Sequence, residues 1–515
     1  MLRYLFHFFA LLSLAFSADP GDKSISRYSR GCKCGPTDGC WPSQASWKSL
    51  NASISGRLIE TAPAAIVCYP GPQQNLEACS TVLRELSDEE LVANDPIALD
   101  FPINNACPPV DFSAGDVPGN CSIGNAPRYV VNATKPEDVA MGVDFARKNN
   151  IRLVIRNTGH DLLGRSTGYG SLEVWIRYLR QGSAFRIAGG YVWEDVYAEA
   201  MKRNVIVVGG GDPTVGCLGG WAQGGGHSPA SRDYGLGADQ ILEAEVVLAN
   251  GKIVTANRCQ NQDLYFAIRG GGGGTYGVVV STVVKVYPTT SISAQTLAIA
   301  PLSDANIPEF MDALNMVYSA YPDLNDAGLS GYGSWAKLSG YKAVAGIGTG
   351  ALGSRLLDRN ALKSSPTDLG KMLNITAGSQ GQFSSTSVSL VGGGQVFTPD
   401  PSSGLNPAWR SSYVHNVVSR GWTVDTDMAT VQEIKDDITY TKVGAMKRLA
   451  PDTGCYMNEA DRLDPDYLRD YYGESLSRLE QVKRTYDSND VFYCQTCVGS
   501  ERWIEDITGR LCRTQ

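Results

Sequence analysis

The sequence predicts an α+β protein of two packed units. Three observations carry this: a chain of 515 residues, alternating strand and helix patterns through its first half, and glycine clusters that feed apolar strands and stop near residue 290. Hydrophobic residues at 43% and charged residues at 19% fit a folded protein and exclude a disordered or fibrous one. The net charge of -8, with no concentrated basic face, argues against a nucleic-acid partner.

Residues 1–17, MLRYLFHFFALLSLAFS, place Arg3 before a short apolar run that ends in Ala15 and Ser17. That pattern is a secretory signal; the run is too short to span a bilayer and no basic stop-transfer segment follows. The mature chain is expected to begin near Ala18, outside the cell and with no membrane attachment. Thirteen cysteines and the sequons at Asn51, Asn132 and Asn374 agree with an oxidising, glycosylating route. The odd count leaves at least one thiol unpaired. Cys68 with Cys79 and Cys107 with Cys121 are the local bridges expected, and Cys32, Cys34 and Cys40 sit in one compact stretch. Cys494 and Cys497 have CxxC spacing without a thioredoxin-like setting, so ordinary disulfide bonding is expected there.

Residues 18 to about 125 read as a stapled entrance region with helical patches around TVLRELSDEELVAN. From Pro136, KPEDVAMGVDFARKNN has helical period and IRLVIRN is a compact strand. Strands follow at AFRIAGG, NVIVVGGG, ILEAEVVLA and VVVSTVVKVYP, with the helix WEDVYAEAMKRN among them. A nucleotide-binding α+β domain accounts for this order. Residues 291–450 alternate helices such as IPEFMDALNMVYSAYP with strand candidates YKAVAGIG and STSVSLVGG and the run around AKLSGY, a unit that would cover the first and shape a second ligand's pocket. Residues 451–515 read as a helix over LRDYYGESLSRLEQVKRTY and a return into the first domain, which then comprises residues 18–290.

Three glycine-bearing elements carry the chemistry. In VIRNTGHDLLGRSTG, residues 154–168, a strand enters a glycine turn bearing His160; backbone N–H groups of such a turn suit a pyrophosphate, with Arg156 or Arg165 to neutralise it. Alone, this segment reads as an ordinary strand-to-loop turn. GGGDPTVGCLGGWAQGGGHSPASRDYGLGADQ, residues 209–240, is too rich in glycine for a helix interior and unlike a linker, so close backbone approach to a large planar ligand is implied. FAIRGGGGGTYGVVVSTVVKV is the third. Neither a convincing GxGxxG dinucleotide fingerprint nor a Walker loop is present.

Taken together, these motifs resemble the berberine bridge enzyme-like branch of the vanillyl-alcohol oxidase superfamily, particularly its secreted fungal oxidases, over nearly the whole mature chain. The resemblance implies an FAD-binding domain and a substrate domain whose antiparallel sheet covers the reactive face of the flavin. It assigns His160 as the residue bonded to the flavin 8α carbon. Arg156, Asn157, Thr158, Gly159, Asp161 and Ser166 would surround the pyrophosphate. Asp212, Val215, Gly216, Gly219, Gly220, Gly224, Gly225 and Gly226 would line the ring and diphosphate passage, with Asp239, Gly277 and Val279 supporting it.

Many relatives add a second link from a cysteine before P-x-V-G. Here Asp212 precedes Pro213-Thr214-Val215-Gly216, so a single attachment through His160 is expected. Cys217 follows the Val-Gly pair: it links the flavin only with altered loop geometry, or is a buried free thiol. Trp221 and His227 are core groups or reach the substrate. In YMNEADRLDPDYLRDYYG, Asn458-Glu459 replaces the N-Y pair of many relatives. Glu459 is then the candidate base if its environment sets a useful pKa, with Tyr456 as the alternative proton-handling or orienting group; a hydroxyl-binding or structural Glu459 and a packing Tyr456 stay open.

The function implied is transfer of a hydride from a small alcohol or carbohydrate-like substrate to flavin, with molecular oxygen reduced to hydrogen peroxide. The alternative is a secondary-metabolite dehydrogenase or oxidative cyclase. A monomer is expected. The four histidines are scattered in sequence with no metal-ligand spacing, so no metal site is expected.

Overall fold

The computed structural model describes residues 31–514, leaving out 86–88, 99–105, 180–185, 338–346, 380–381, 383, 424–425 and 507. The expected leader over 1–17 and most of the expected strand YKAVAGIG lie outside the described residues.

Four short strands form the first sheet: β1 (Leu58–Glu60), β2 (Tyr129–Asn132), β3 (Leu153–Arg156) and β4 (Leu172–Trp175), in the order β1-β2-β4-β3. β4 is parallel to both its neighbours and buried along its length, as a central parallel strand must be. The crossover between β2 and β3 is the helix Pro136–Lys148. Proline and two acids occupy its first turn, two basic residues its last, and Val139, Val143 and Ala146 face the sheet.

Next in the chain come β5 (Arg186–Ala188), β6 (Val205–Ile206), β7 (Ile241–Val247), β8 (Ile253–Asn257), β9 (Val278–Val284) and β10 (Tyr287–Pro288). β5, β7, β8 and β9 form an antiparallel sheet in the order β5-β9-β7-β8, while β6 pairs with β10. The strand expected over NVIVVGGG is thus two residues long. Three residues on, the Gly209 backbone packs so tightly on Trp193 that a Cβ would stand 2.3 Å from the ring. Val247, Val278 and Val280 share one core with Val131, Leu153, Leu172 and Val174, so the two sheets form a single unit.

The second unit is built on an antiparallel sheet of β11 (Gly331–Ala336), β12 (Ile347–Asp358), β13 (Ser385–Leu390) and β14 (Ser412–Thr423), in the order β11-β13-β14-β12. Helices Ile307–Asp326 and Pro366–Ala377 pack Leu314, Tyr318, Leu369 and Leu373 against Val388, Val414 and Val418. Side chains alternate along β14, so with Val414 and Val418 under the helices, His415 points the opposite way.

From Cys455 onward the chain packs into the first unit: Cys455, Met457, Tyr471 and Leu479 share a core with Leu264, Phe266 and Tyr276. The single helix expected here is two, Tyr467–Tyr472 and Leu476–Tyr486, because Gly473 between them takes φ +51°. The last short pair, β15 (Trp503–Glu505) and β16 (Leu511–Arg513), brings Cys512 to Cys32.

The bridges Cys68–Cys79 and Cys107–Cys121 form, as do Cys34–Cys40 and Cys494–Cys497. Cys217, Cys259 and Cys455 are free thiols. Among the described residues, no helix is long and apolar enough to cross a membrane.

Candidate active site

A cleft runs along the first unit, walled by the three glycine-bearing elements and closed at one end by the segment around Asn458. The first wall starts where β3 ends at Arg156. Gly159 turns the chain at φ +91°, and Asn157, Thr158, Gly159, His160, Asp161 and Ser166 line the cleft. Val215, Gly216, Gly219 and Gly220 form the second wall, Gly273, Gly274, Gly277 and Val279 the third.

Three of the wall glycines leave room for a large ligand. A Cβ on Gly219 would meet nothing nearer than Asn157 at 4.0 Å, one on Gly220 nothing nearer than Asn458 at 3.6 Å, and one on Gly274 nothing nearer than Cys494 at 3.9 Å. Bare backbone on opposed walls, with Arg165 beside it, fits the passage of a dinucleotide such as FAD.

Six of the predicted cofactor residues do not line the cleft. Arg156 is buried on the other side of its strand, where it donates to the carbonyls of Val92 at 2.9 Å and Asp95 at 3.0 Å. Arg165 is the guanidinium at the cleft instead: its Nε donates to Asp161 Oδ1 at 2.8 Å and its Nη2 to Asn458 Oδ1 at 2.8 Å. Asp239 is held by paired bonds from Arg410 at 2.8 and 2.9 Å and accepts from the Leu236 N–H at 3.0 Å, so it anchors a loop. Asp212 acts one residue removed, accepting from Thr214 N and Oγ1, both at 2.8 Å, while the Thr214 hydroxyl meets His160 Nε2. Gly224, Gly225 and Gly226 let side chains close in behind the wall: their Cβ atoms would stand 2.6 Å from Asn458, 3.0 Å from Leu405 and 2.8 Å from Trp221.

Cys217 is 1% exposed in the core with Trp193 and Ala222 and does not line the cleft. Burial pushes its thiol well above the ordinary range, which suppresses the thiolate that a flavin link requires. Trp221 does reach the cleft, backed by Trp193 with ring centroids 4.9 Å apart.

At the closed end Asn458 Nδ2 donates to the Gly220 carbonyl and to the Tyr456 hydroxyl, both at 2.7 Å. Tyr456 is 2% exposed; burial and the charge of Glu459 raise its phenol, so it stays protonated. Glu459 faces two imidazoles: its Oε1 lies 3.4 Å from His227 Nε2 and its Oε2 3.5 Å from His415 Nδ1. Burial raises the Glu459 carboxyl, but His227 and then His415 outweigh it and hold it at about 2. Burial, with His227 adding and Glu459 opposing, brings His415 down to about 4. Glu459 is therefore an ionised acceptor of modest base strength. Histidines scattered in the sequence come together here: the His227 and His415 rings stand 5.4 Å apart. No sequence spacing signals this pair; only the alternation along β14 brings His415 to the site.

The chain matches the FAD binding domain family over residues 127–257 and the family described as berberine and berberine like over 455–499. Fold and cleft together define an FAD-dependent oxidoreductase. The FAD-linked oxidoreductase hmp9 of Hypomyces subiculosus is 39% identical, over 98% of this chain and 93% of the relative, and apf9 of Gibberella fujikuroi is 36% identical over 94% and 96%. Among solved structures, the VAO-type flavoprotein MtVAO713 from Myceliophthora thermophila C1 superposes with a TM-score of 0.87 at 36% identity, covering 94% of this chain and 100% of that one. The chain belongs to the berberine bridge enzyme-like branch of the vanillyl-alcohol oxidase superfamily.

Proposed function

We propose that the protein is an exported, monomeric oxidase that holds FAD by one covalent bond from His160 and oxidises a hydroxyl-bearing secondary metabolite. One observation carries the reading: a glycine-walled cleft has His160 on one wall and the Tyr456–Asn458–Glu459 segment at its closed end. FAD, when bound, supplies the hydride acceptor and passes its electrons to molecular oxygen.

The chain's own groups have separable tasks. Backbone N–H groups of Asn157–Asp161 and the Arg165 guanidinium suit the pyrophosphate, and the Thr214 hydroxyl, set by Asp212, orients His160. Glu459, ionised and held at about 2, accepts a hydrogen bond from the substrate's hydroxyl, and Tyr456, fixed by Asn458, orients the substrate oxygen.

A carbohydrate substrate has less support than a metabolite. A glucooligosaccharide oxidase from Acremonium strictum is only 17% identical, a likeness of fold alone. Trp221 and Tyr456 line the cleft, aromatic side chains that suit an apolar ring system better than a row of sugar hydroxyls. Export agrees with the sequon at Asn374, which is exposed.

The test is a spectrum of the acid-precipitated, washed protein with peptide mass mapping, followed by a peroxide assay on aromatic alcohols and oligosaccharides. Flavin on the His160 peptide alone and peroxide from an alcohol are expected. Free flavin in the supernatant overturns the attachment; turnover restricted to oligosaccharides overturns the substrate class.

A further inference from the structure

Hydrogen bonding at the closed end leaves buried ring nitrogens without partners around one carboxylate. The Tyr332 hydroxyl lies 3.0 Å from His227 Nδ1 and 3.3 Å from the His227 carbonyl oxygen, and so holds the ring from one side. On the other side His227 Nε2 lies 3.4 Å from Glu459 Oε1 and has no hydrogen-bond partner among the described residues. On the far side of the carboxylate, His415 is fully buried; neither ring nitrogen is hydrogen-bonded among the described residues, and Nδ1 lies 3.5 Å from Oε2. Buried polar atoms are normally hydrogen-bonded, so three unpartnered ring nitrogens around one carboxylate call for an explanation.

We propose that His227, His415 and Glu459 bind one divalent transition-metal cation of the zinc or iron(II) class at the substrate end of the cleft, with positions left open for a substrate oxygen. Two imidazoles and one carboxylate are a recurrent donor set for catalytic sites of both metals, and three protein ligands leave room for substrate. Bonds of about 2.0–2.1 Å put neighbouring ligand atoms of a tetrahedron roughly 3.3 Å apart. The 3.4 Å between His227 Nε2 and Glu459 Oε1 is close to that edge, His415 Nδ1 lies 3.5 Å from the other carboxylate oxygen, and one ligand atom from each of the three residues lies within 4.8 Å of the others. Tyr332 is the outer partner that fixes the His227 ring, as metal-bound histidines require.

The other clusters of suitable residues differ. Cys34 and Cys40 are bonded to each other, and Asp464, Asp466 and Asp470 already hold Lys447. The inference rests on the reading that substrate enters at Glu459 and deepens it: a cation there would polarise a bound alcohol or carbonyl oxygen.

The experiment uses the flavin-loaded enzyme without substrate, so its outcome is independent of what the enzyme oxidises. Metal content is measured as purified and after chelator dialysis, and Zn²⁺ is titrated back by calorimetry. One saturable equivalent per chain is expected, with an anomalous peak between His227, His415 and Glu459 in zinc-soaked crystals. His415→Ala and the near-isosteric Glu459→Gln abolish it while flavin absorbance is retained, and Tyr332→Phe weakens it about 10- to 100-fold. Absence of saturable Zn²⁺ and Fe²⁺ binding to the wild-type enzyme, or zinc binding that survives Glu459→Gln, overturns the site.

Discussion

Arg355 on β12 meets Asp470 in the C-terminal helix Tyr467–Tyr472 at 3.0 Å, and each side chain is only 1% exposed. This pair ties the substrate sheet to the segment that returns to the first unit. Removing Arg355 leaves Asp470 paired with Lys447 at 2.8 Å and Arg469 at 3.1 Å but strips buried donors from the carbonyls of Ala450, Pro451 and Thr453, a loss of about 1–3 kcal/mol. Arg355→Met should therefore lower the denaturant midpoint strongly, as measured by chemical unfolding; a change below 1 kcal/mol would show that the pair is solvated.

The same pair gives a pH dependence with a definite sign. Burial raises the Asp470 carboxyl, but Arg355 and Lys447 outweigh it and hold it below the usual carboxylate range. A depressed folded-state value means that the stabilisation is complete at neutral pH and fades as acid protonates the folded protein. The stability gap between wild type and Asp470→Asn should be widest near neutrality and shrink in acid. A gap that grows in acid contradicts the assignment.

For His160 the expected result is chemical. His160→Ala should release its flavin into the supernatant on acid precipitation and lose at least an order of magnitude in turnover. Cys217→Ser should keep both flavin and rate, because Cys217 stands away from the cleft. Flavin that stays on the His160→Ala protein would place the link elsewhere.

Gly220 separates loss of cofactor from loss of fold. It opens a short helix at the cleft wall, where leucine is a better helix former than glycine and its bulk enters the cleft. Gly220→Leu should fold, by circular dichroism, and purify without FAD. Gly237→Ala makes the contrast: its Cβ would stand 2.3 Å from the Trp221 ring, an overpacking that costs about 1–3 kcal/mol although Gly237 does not line the cleft.

At the closed end, Glu459→Gln keeps the shape and removes the ionised acceptor. Loss of a charged hydrogen-bond acceptor for the substrate hydroxyl, worth about 1.5–3 kcal/mol, lowers turnover by roughly 10- to 100-fold. Tyr456→Phe should cost less, since the phenol orients and Asn458 keeps its bond to the Gly220 carbonyl. Stopped-flow flavin reduction checks both; an unchanged rate in Glu459→Gln removes it from the reaction.

The sequence by itself determined the parts that local backbone chemistry controls. Strand β3 running into a glycine turn at His160, the glycine clusters of the other two walls, and the short-range bridges Cys68–Cys79 and Cys107–Cys121 were all legible, because each depends on neighbours within a few residues. Tertiary structure decided what depends on direction and distance. Arg156 and Arg165 flank one turn, yet only Arg165 reaches the cleft, since the strand's pleat sends Arg156 to the opposite side. The two adjacent glycine runs looked alike, but Gly219 and Gly220 line the cleft while Gly224–Gly226 admit Asn458, Leu405 and Trp221. His227, His415 and Glu459 are far apart in the chain, and no spacing rule joins them. They meet because the substrate sheet turns one face of β14 toward the C-terminal segment, a packing of separate elements that local sequence does not encode.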